Sequence, residues 1–213
     1  MKIAVFGITG RIGSRIAQEA LGRGHEVTGY SRNPGRGTLA HASLRTAVGD
    51  IADAATVARL SAGHDAVVNA VGPDMDKPVG TFLVDAAHAL RDGLRKAGVR
   101  RLLVVGGAGS LEVAPGKLLM DAPAFPAEWK ALAKSAADAL AVYRQEKDLE
   151  WTYFSPAGFI EPGTRTGRYR TGDDSLVVDS QGRSFISMED YAVAVMDELE
   201  KPRHVRARFT AAY

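Results

Sequence analysis

Residues Lys2–Gly13 read Lys-Ile-Ala-Val-Phe-Gly-Ile-Thr-Gly-Arg-Ile-Gly. A short apolar run ends in three glycines spaced three apart. A helical pattern follows, with Ile12, Ile16, Ala17, Ala20 and Leu21 on one face. Strand, tight turn and helix start thus succeed one another at once. Gly7 and Gly10 let the backbone turn and approach a ligand with no Cβ in the way. Free N–H groups and the positive end of the helix dipole then face an anion. Gly13 allows close packing of helix on strand. Thr9 stands where the common G-x-G-x-x-G fingerprint has its middle glycine, so the pattern is G-x-T-G-x-x-G. Because the chain holds 23 glycines in 213 residues, spacing alone is weak, and an ordinary β–α turn is the competing reading. The flanking strand and helix tip the balance toward a pyrophosphate, and hence a nicotinamide dinucleotide, bound by Gly7, Thr9, Gly10, Arg11, Ile12 and Gly13.

The rest of the chain alternates. Strands are expected at Ile3–Phe6, Val27–Tyr30, Leu44–Val48, Ala66–Val71, Arg101–Val105, Trp151–Phe154 and Arg206–Thr210. Helices are expected at Ile12–Arg23, Asp53–Ser61, Thr81–Ala97, Pro126–Lys147 and Glu189–Leu199, with Asp53 and Ser187 as caps and Gly98 as the stop of the third. Alternating elements with continuously apolar strands predict an α/β doubly wound parallel sheet, a Rossmann-like single domain over residues 1–213. Ligands of such sheets sit beyond the carboxyl ends of the strands. Two long connections, 108–126 and 156–187, lie there and are expected to form a substrate lid and a small C-terminal lobe. Trp129, Trp151 and Phe154 are expected in the core.

Composition narrows the partners. The formal net charge is +2, from 27 basic and 25 acidic residues, which gives no electrostatic case for nucleic acid or a membrane surface. There is no cysteine, and the five histidines show no ligand spacing, so a metal site is not expected. No apolar stretch has membrane-spanning length and the N-terminal run is short for a signal peptide, which predicts a cytoplasmic protein, monomeric or homodimeric.

Strand two selects the cofactor. An NAD site wants an acid after this strand, and an NADP site a cation. The sequence there is Tyr30-Ser31-Arg32-Asn33. Arg32 can grip a 2′-phosphate and Ser31 can donate to it, so NADP(H) is expected in preference to NAD(H). Asp50 could accept from an adenine amino group with Ile51 against the ring, or serve only as a turn residue. The small stretch Asn69-Ala70-Val71-Gly72 would pass the ribose and pyrophosphate. Gly107 and Ser110 follow strand five, where the Ser110 hydroxyl could orient an acceptor. Pro156 and Phe159 follow strand six and could close over the nicotinamide. Arg165, Arg168, Tyr169 and Arg170 could receive an anionic planar substrate, or be solvated surface.

Taken together, Gly7-x-x-Gly10-x-x-Gly13, Arg32, Asp50, Asn69–Gly72 and Gly107-x-x-Ser110 resemble the short-chain dehydrogenase/reductase superfamily in its compact atypical NAD(P)H-binding branch. Trp151–Phe159, Gly163–Arg170 and Ser187–Ala192 are similar to bacterial NADH-flavin-reductase-like proteins, with flavin reductase/biliverdin reductase B more distant. The resemblance implies hydride transfer from NADPH to a small planar acceptor, with FMN or FAD as the simplest substrate. By distance from strand six, Lys134 matches the superfamily lysine that holds the nicotinamide ribose, and Lys130 falls where the tyrosine should be. The tempting Tyr143-x-x-x-Lys147 is set aside, because Tyr143 lies some 15 Å along the helix from its first turn. Two other readings stay open: a non-catalytic NADP(H) sensor, and a sugar-nucleotide epimerase or dehydratase.

Overall fold

The computed structural model describes residues 1–33, 39–73 and 78–213. The chain runs β1 (Lys2–Phe6), α1 (Arg11–Gly22), β2 (Glu26–Ser31), β3 (Leu44–Val48), α2 (Ala54–Ser61), β4 (Ala66–Asn69), α3 (Phe82–Ala97) and β5 (Arg101–Val105). It continues through the hairpin β6 (Glu112–Ala114) and β7 (Lys117–Leu118), α4 (Lys130–Arg144), β8 (Glu150–Ser155), β9 (Phe159–Glu161), β10 (Arg170–Gly172), β11 (Phe185–Ser187), α5 (Met188–Glu200) and β12 (Ala207–Ala212).

Eight strands form one sheet in the order β10-β12-β8-β5-β4-β1-β2-β3, all parallel except the edge strand β10. The chain leaves β1 toward β2 and β3, then returns to place β4 on the other side of β1. That reversal makes a crevice at the carboxyl end of β1, where Phe6 has Tyr30 on one side and Asn69 on the other. This is the doubly wound α/β arrangement expected from the sequence.

Each central strand is buried on both faces. Ile3, Val5, Val68, Leu103 and Phe154 meet α1 and α5, while Ala4, Phe6, Val67, Leu102, Trp151 and Tyr153 meet α2, α3 and α4. The continuous apolar runs are explained by this double burial. Phe154 is stacked between Tyr191 and Phe209, with ring centroids 4.0 Å from each.

Local signals acted as expected at several ends. Asp53 caps α2 by accepting from the Thr56 N–H, and Ser187 caps α5 by accepting from that of Asp190. Gly98 ends α3 in the left-handed region at φ +70°. Other boundaries differ. β4 stops at Asn69 rather than Val71, because the Val71 N–H turns to the Asn69 side chain at 3.0 Å. The long helix starts at Lys130, after a 3-10 turn over Ala127–Trp129, and ends at Arg144. Trp129 lies in that turn and is 45% exposed, so it is not a core residue; Trp151 and Phe154 are. The last strand is β12, ending at Ala212 rather than Thr210.

The long connections carry structure of their own. Residues 108–126 hold the β6–β7 hairpin, while β9 pairs with β11 and β10 adds to the main sheet. Among the described residues, no helix is long and apolar enough to cross a membrane.

Candidate functional site

The crevice is built around Gly7. Its N–H donates to the Tyr30 carbonyl at 2.8 Å, and its own carbonyl accepts from Gly10 at 2.9 Å. The backbone turns at φ +85°, a conformation that side chains disfavour. A Cβ there would sit 2.7 Å from the Ala70 carbonyl oxygen, because the start of the β4–α3 connection presses on the turn. At Gly13 a Cβ would fall 2.2 Å from the Gly7 carbonyl oxygen. Gly13 is thus required by the turn itself, and the helix is drawn down onto it.

The helix that follows has an open start. Gly10 occupies its N-cap position, no side chain caps it, and its first turn holds no acid. The N–H groups of Arg11, Ile12 and Gly13 are left for an external acceptor. Thr9 is half-buried beside them and the Arg11 side chain is exposed. One glycine escaped the sequence reading. A Cβ at Gly29 would lie 2.1 Å from Ile8 Cδ1, so a bare position on β2 seats the buried side chain of the turn.

At the end of β2, Ser31 is 8% exposed and its hydroxyl has no partner among the described residues. Arg32 next to it is exposed. An unpartnered buried hydroxyl beside a cation suits a phosphate oxygen better than a diol. After β3, Asp50 is exposed and accepts from the Ala52 N–H at 3.1 Å, which is its turn role. Ile51 requires a correction. It is 1% exposed and packed in the core under α2 and α3, so it cannot lie against an adenine ring.

After β4, Asn69 is 5% exposed and braces Val71 through the hydrogen bond above. The Ala70 N–H donates to the Phe6 carbonyl at 2.9 Å, holding the small stretch beside Gly7. Gly72 is exposed, with open space where a Cβ would be.

After β5, the Gly106 N–H donates to the Phe154 carbonyl at 2.8 Å. A Cβ at Gly107 would lie 2.9 Å from that of Ala136, so this glycine admits α4. Ser110 is half-buried and accepts at its hydroxyl oxygen from Arg208 Nη1 at 2.9 Å. Arg208, which sequence reasoning missed, lies on β12, 98 positions away, and no local signal marks it. Pro156 is buried at the end of β8, and Phe159 is 72% exposed. Ser155, also missed, has a fully buried hydroxyl with no partner among the described residues.

Lys134 does not join this group. Its side chain is 72% exposed and pairs with Asp138 one turn on, at 2.7 Å. Lys130 is exposed as well. Tyr143 is 1% exposed inside the core, packed on Trp151 and Tyr153. Burial pushes its hydroxyl far above the usual phenol range, and Tyr153 beside it adds to the rise. It is sealed from any acceptor. Of the basic-aromatic cluster, Arg168 is exposed and the other three members are held by the protein itself. Arg165 grips Glu19 of α1, Arg170 donates to the carbonyls of Val178 and Tyr213, and the Tyr169 hydroxyl bonds to Asp197.

Asp190 ties the second long connection down. It is fully buried and accepts from the N–H groups of Thr166 and Gly167 and from the hydroxyls of Thr166 and Tyr213. Burial alone would raise its pKa, but the Thr166, Tyr213 and Gly167 hydrogen bonds outweigh that and hold it below the usual carboxylate value.

The residues fit a dinucleotide: a bare turn that a Cβ would fill, an open helix start, and the buried unpartnered hydroxyl of Ser31. The comparisons agree. A solved structure of a "Putative exported protein" from Burkholderia pseudomallei is 52% identical, covers both chains completely and superposes with a TM-score of 0.89. A "putative epimerase" from Bacteroides thetaiotaomicron is 41% identical over 100% of this chain and 96% of its own, with a TM-score of 0.92. A "putative NADH-flavin reductase" from Streptococcus pneumoniae is 34% identical over 100% and 99%, with a TM-score of 0.87. The family model described as NAD(P)H-binding matches residues 7–202, so the open helix start has its explanation: the chain belongs to the NAD(P)H-binding family.

Proposed function

We propose that this protein oxidises NADPH and passes the hydride to a small planar acceptor, most simply a flavin. The observation that carries the cofactor preference is the end of β2, where buried Ser31 lacks a partner among the described residues, Arg32 is exposed and no carboxylate follows directly. The likeness to the S. pneumoniae protein supports the choice of acceptor.

In this reading the N–H groups of Arg11, Ile12 and Gly13 hold the pyrophosphate, with Thr9 alongside. Ser31 and Arg32 hold the 2′-phosphate, and Asn69, Ala70, Val71 and Gly72 form the wall beside the adenosine ribose. Gly107, Pro156 and Phe159 flank the nicotinamide end, and Ser110 orients the acceptor. When bound, NADPH supplies the hydride, and flavin gains that hydride and one proton from solvent as NADP+ forms. The protein's share is orientation and exclusion of water, because Tyr143 is sealed in the core and cannot donate a proton. The same burial weighs against epimerase chemistry that would use a Tyr-x-x-x-Lys pair.

The test is the rate of NADPH oxidation by purified protein with and without FMN, repeated with NADH. Flavin-dependent turnover that favours NADPH supports the reading. Tight NADPH binding with no turnover on any flavin replaces it with the non-catalytic sensor.

A further inference from the structure

Arg208 is a buried cation with no part in the chemistry above. It lies on β12 opposite Tyr153 of β8, and its side chain is 4% exposed. The guanidinium works at both ends. Nη1 donates to the carbonyl oxygen of Ser110 at 3.0 Å and to its hydroxyl oxygen at 2.9 Å. Nε donates to Asp174 Oδ1 at 2.6 Å, and Nη2 pairs with the same carboxylate. Arg144 of α4 reaches that carboxylate from another side, at 3.0 Å. The backbone completes the join: the Glu112 N–H donates to the Asp174 carbonyl at 2.9 Å, and that of Leu176 to the Glu112 carbonyl at 2.8 Å.

The two segments joined are the connection after β5 and the connection after β8, which come from far apart in the chain. Burying a guanidinium is costly unless its donors are satisfied, and here four of its bonds go to these two segments. A planar fork with fixed N–H directions can hold two loops at once, which a point charge cannot. Because Nη1 supplies a donor to the Ser110 oxygen, the hydroxyl hydrogen of Ser110 is free to donate elsewhere.

We propose that Arg208 is a positioning residue, which presets the acceptor-side wall by locking the Ser110 loop to residues 173–176. The proposal rests on the hydride-transfer reading for its acceptor. It sets affinity for the acceptor and leaves the dinucleotide cradle alone, since no bond of Arg208 reaches residues 7–13.

The test compares wild type with R208K and R208Q. In both, KM for FMN should rise about tenfold, the scale of losing charged hydrogen bonds. The kcat at saturating FMN and the Kd for NADPH, read by nucleotide fluorescence, should stay within about twofold. The lysine should not rescue. Unchanged KM in either variant, or a parallel rise in NADPH Kd, overturns the proposal. D174N, which keeps Arg208, should shift KM the same way and decides the matter should the Arg208 variants not fold. Failure of wild type to use FMN would sink the flavin reading alone. The clamp is then judged on amide exchange in the NADPH-bound protein, where R208K should speed exchange at Glu112 and Leu176 about tenfold, and unchanged exchange overturns it.

Discussion

Two helices packed side by side on one face of the sheet begin in opposite ways. α5 starts at Ser187, whose hydroxyl takes the Asp190 N–H at 3.0 Å, and Glu189 and Asp190 fill its first turn with negative charge. α1 starts at Gly10 with neither a cap nor an acid. Every helix has the same four orphan N–H groups to satisfy. α5 satisfies one of them with its own Ser187, and its Asp190 then gathers Thr166, Gly167 and Tyr213. α1 leaves them open, although a cap contributes about 1 kcal/mol to a helix. The difference separates a helix that belongs to the scaffold from one whose missing cap, in the proposed reading, is the ligand.

The comparison can be broken hardest at Gly7. G7A forces a Cβ to within 2.7 Å of the Ala70 oxygen at a positive φ. Strain of about 2–3 kcal/mol should weaken NADPH binding about a hundredfold, measured by fluorescence titration. An unchanged Kd would mean that the turn does not cradle the pyrophosphate.

At the other helix, acid supplies the lever. Asp190 is held below its unfolded value, which is about 3.9 for a free aspartate. Its contribution to stability is therefore full above about pH 4 to 5 and is lost as pH falls through the folded value. D190N should lower Tm at neutral pH by an amount set by about 2 kcal/mol. It should also shrink the drop in Tm between neutral pH and pH 3. An unaltered pH profile would show that Asp190 carries none of the acid sensitivity.

R32Q should cost about tenfold in NADPH affinity and leave NADH affinity alone. Equal losses for both cofactors would remove the 2′-phosphate from the argument. S187A should cost about 1 kcal/mol in urea unfolding with NADPH Kd unchanged. K134A gives the smallest effect. An exposed pair with Asp138 contributes little to stability, so Tm should barely move. A fall in kcat above tenfold would show that Lys134 swings to the cofactor once it binds.

Much of this was legible in the chain because its signals are local. The strand–turn–helix start, the Asp53 and Ser187 caps and the Gly98 stop each depend on a few neighbouring residues, and each stands where the pattern placed it. Signals that depend on distant partners were not legible. Ile51 reads as a loop residue until α2 and α3 close over it. Trp129 reads as core because it is large and aromatic, yet the 3-10 turn before α4 turns it outward. The arginines at 165 and 170 looked available for an anion until Glu19 and two carbonyls were found to hold them. Arg208 and Gly29 matter through contacts with Ser110 and Ile8 that no local spacing encodes.

Arg165 and Asp190 also join the residue 163–169 segment to α1 and α5, the two helices compared above. That join makes the segment a reporter. A ligand that binds only the folded state adds RT ln(1 + [L]/Kd) to its stability, and whatever is tied to the binding helix shares in the gain. Proteolytic nicking between Gly163 and Tyr169 should therefore slow as NADPH is added, with a midpoint at the cofactor's Kd. A segment held on α1 and α5 would then measure occupancy of the turn at the head of α1.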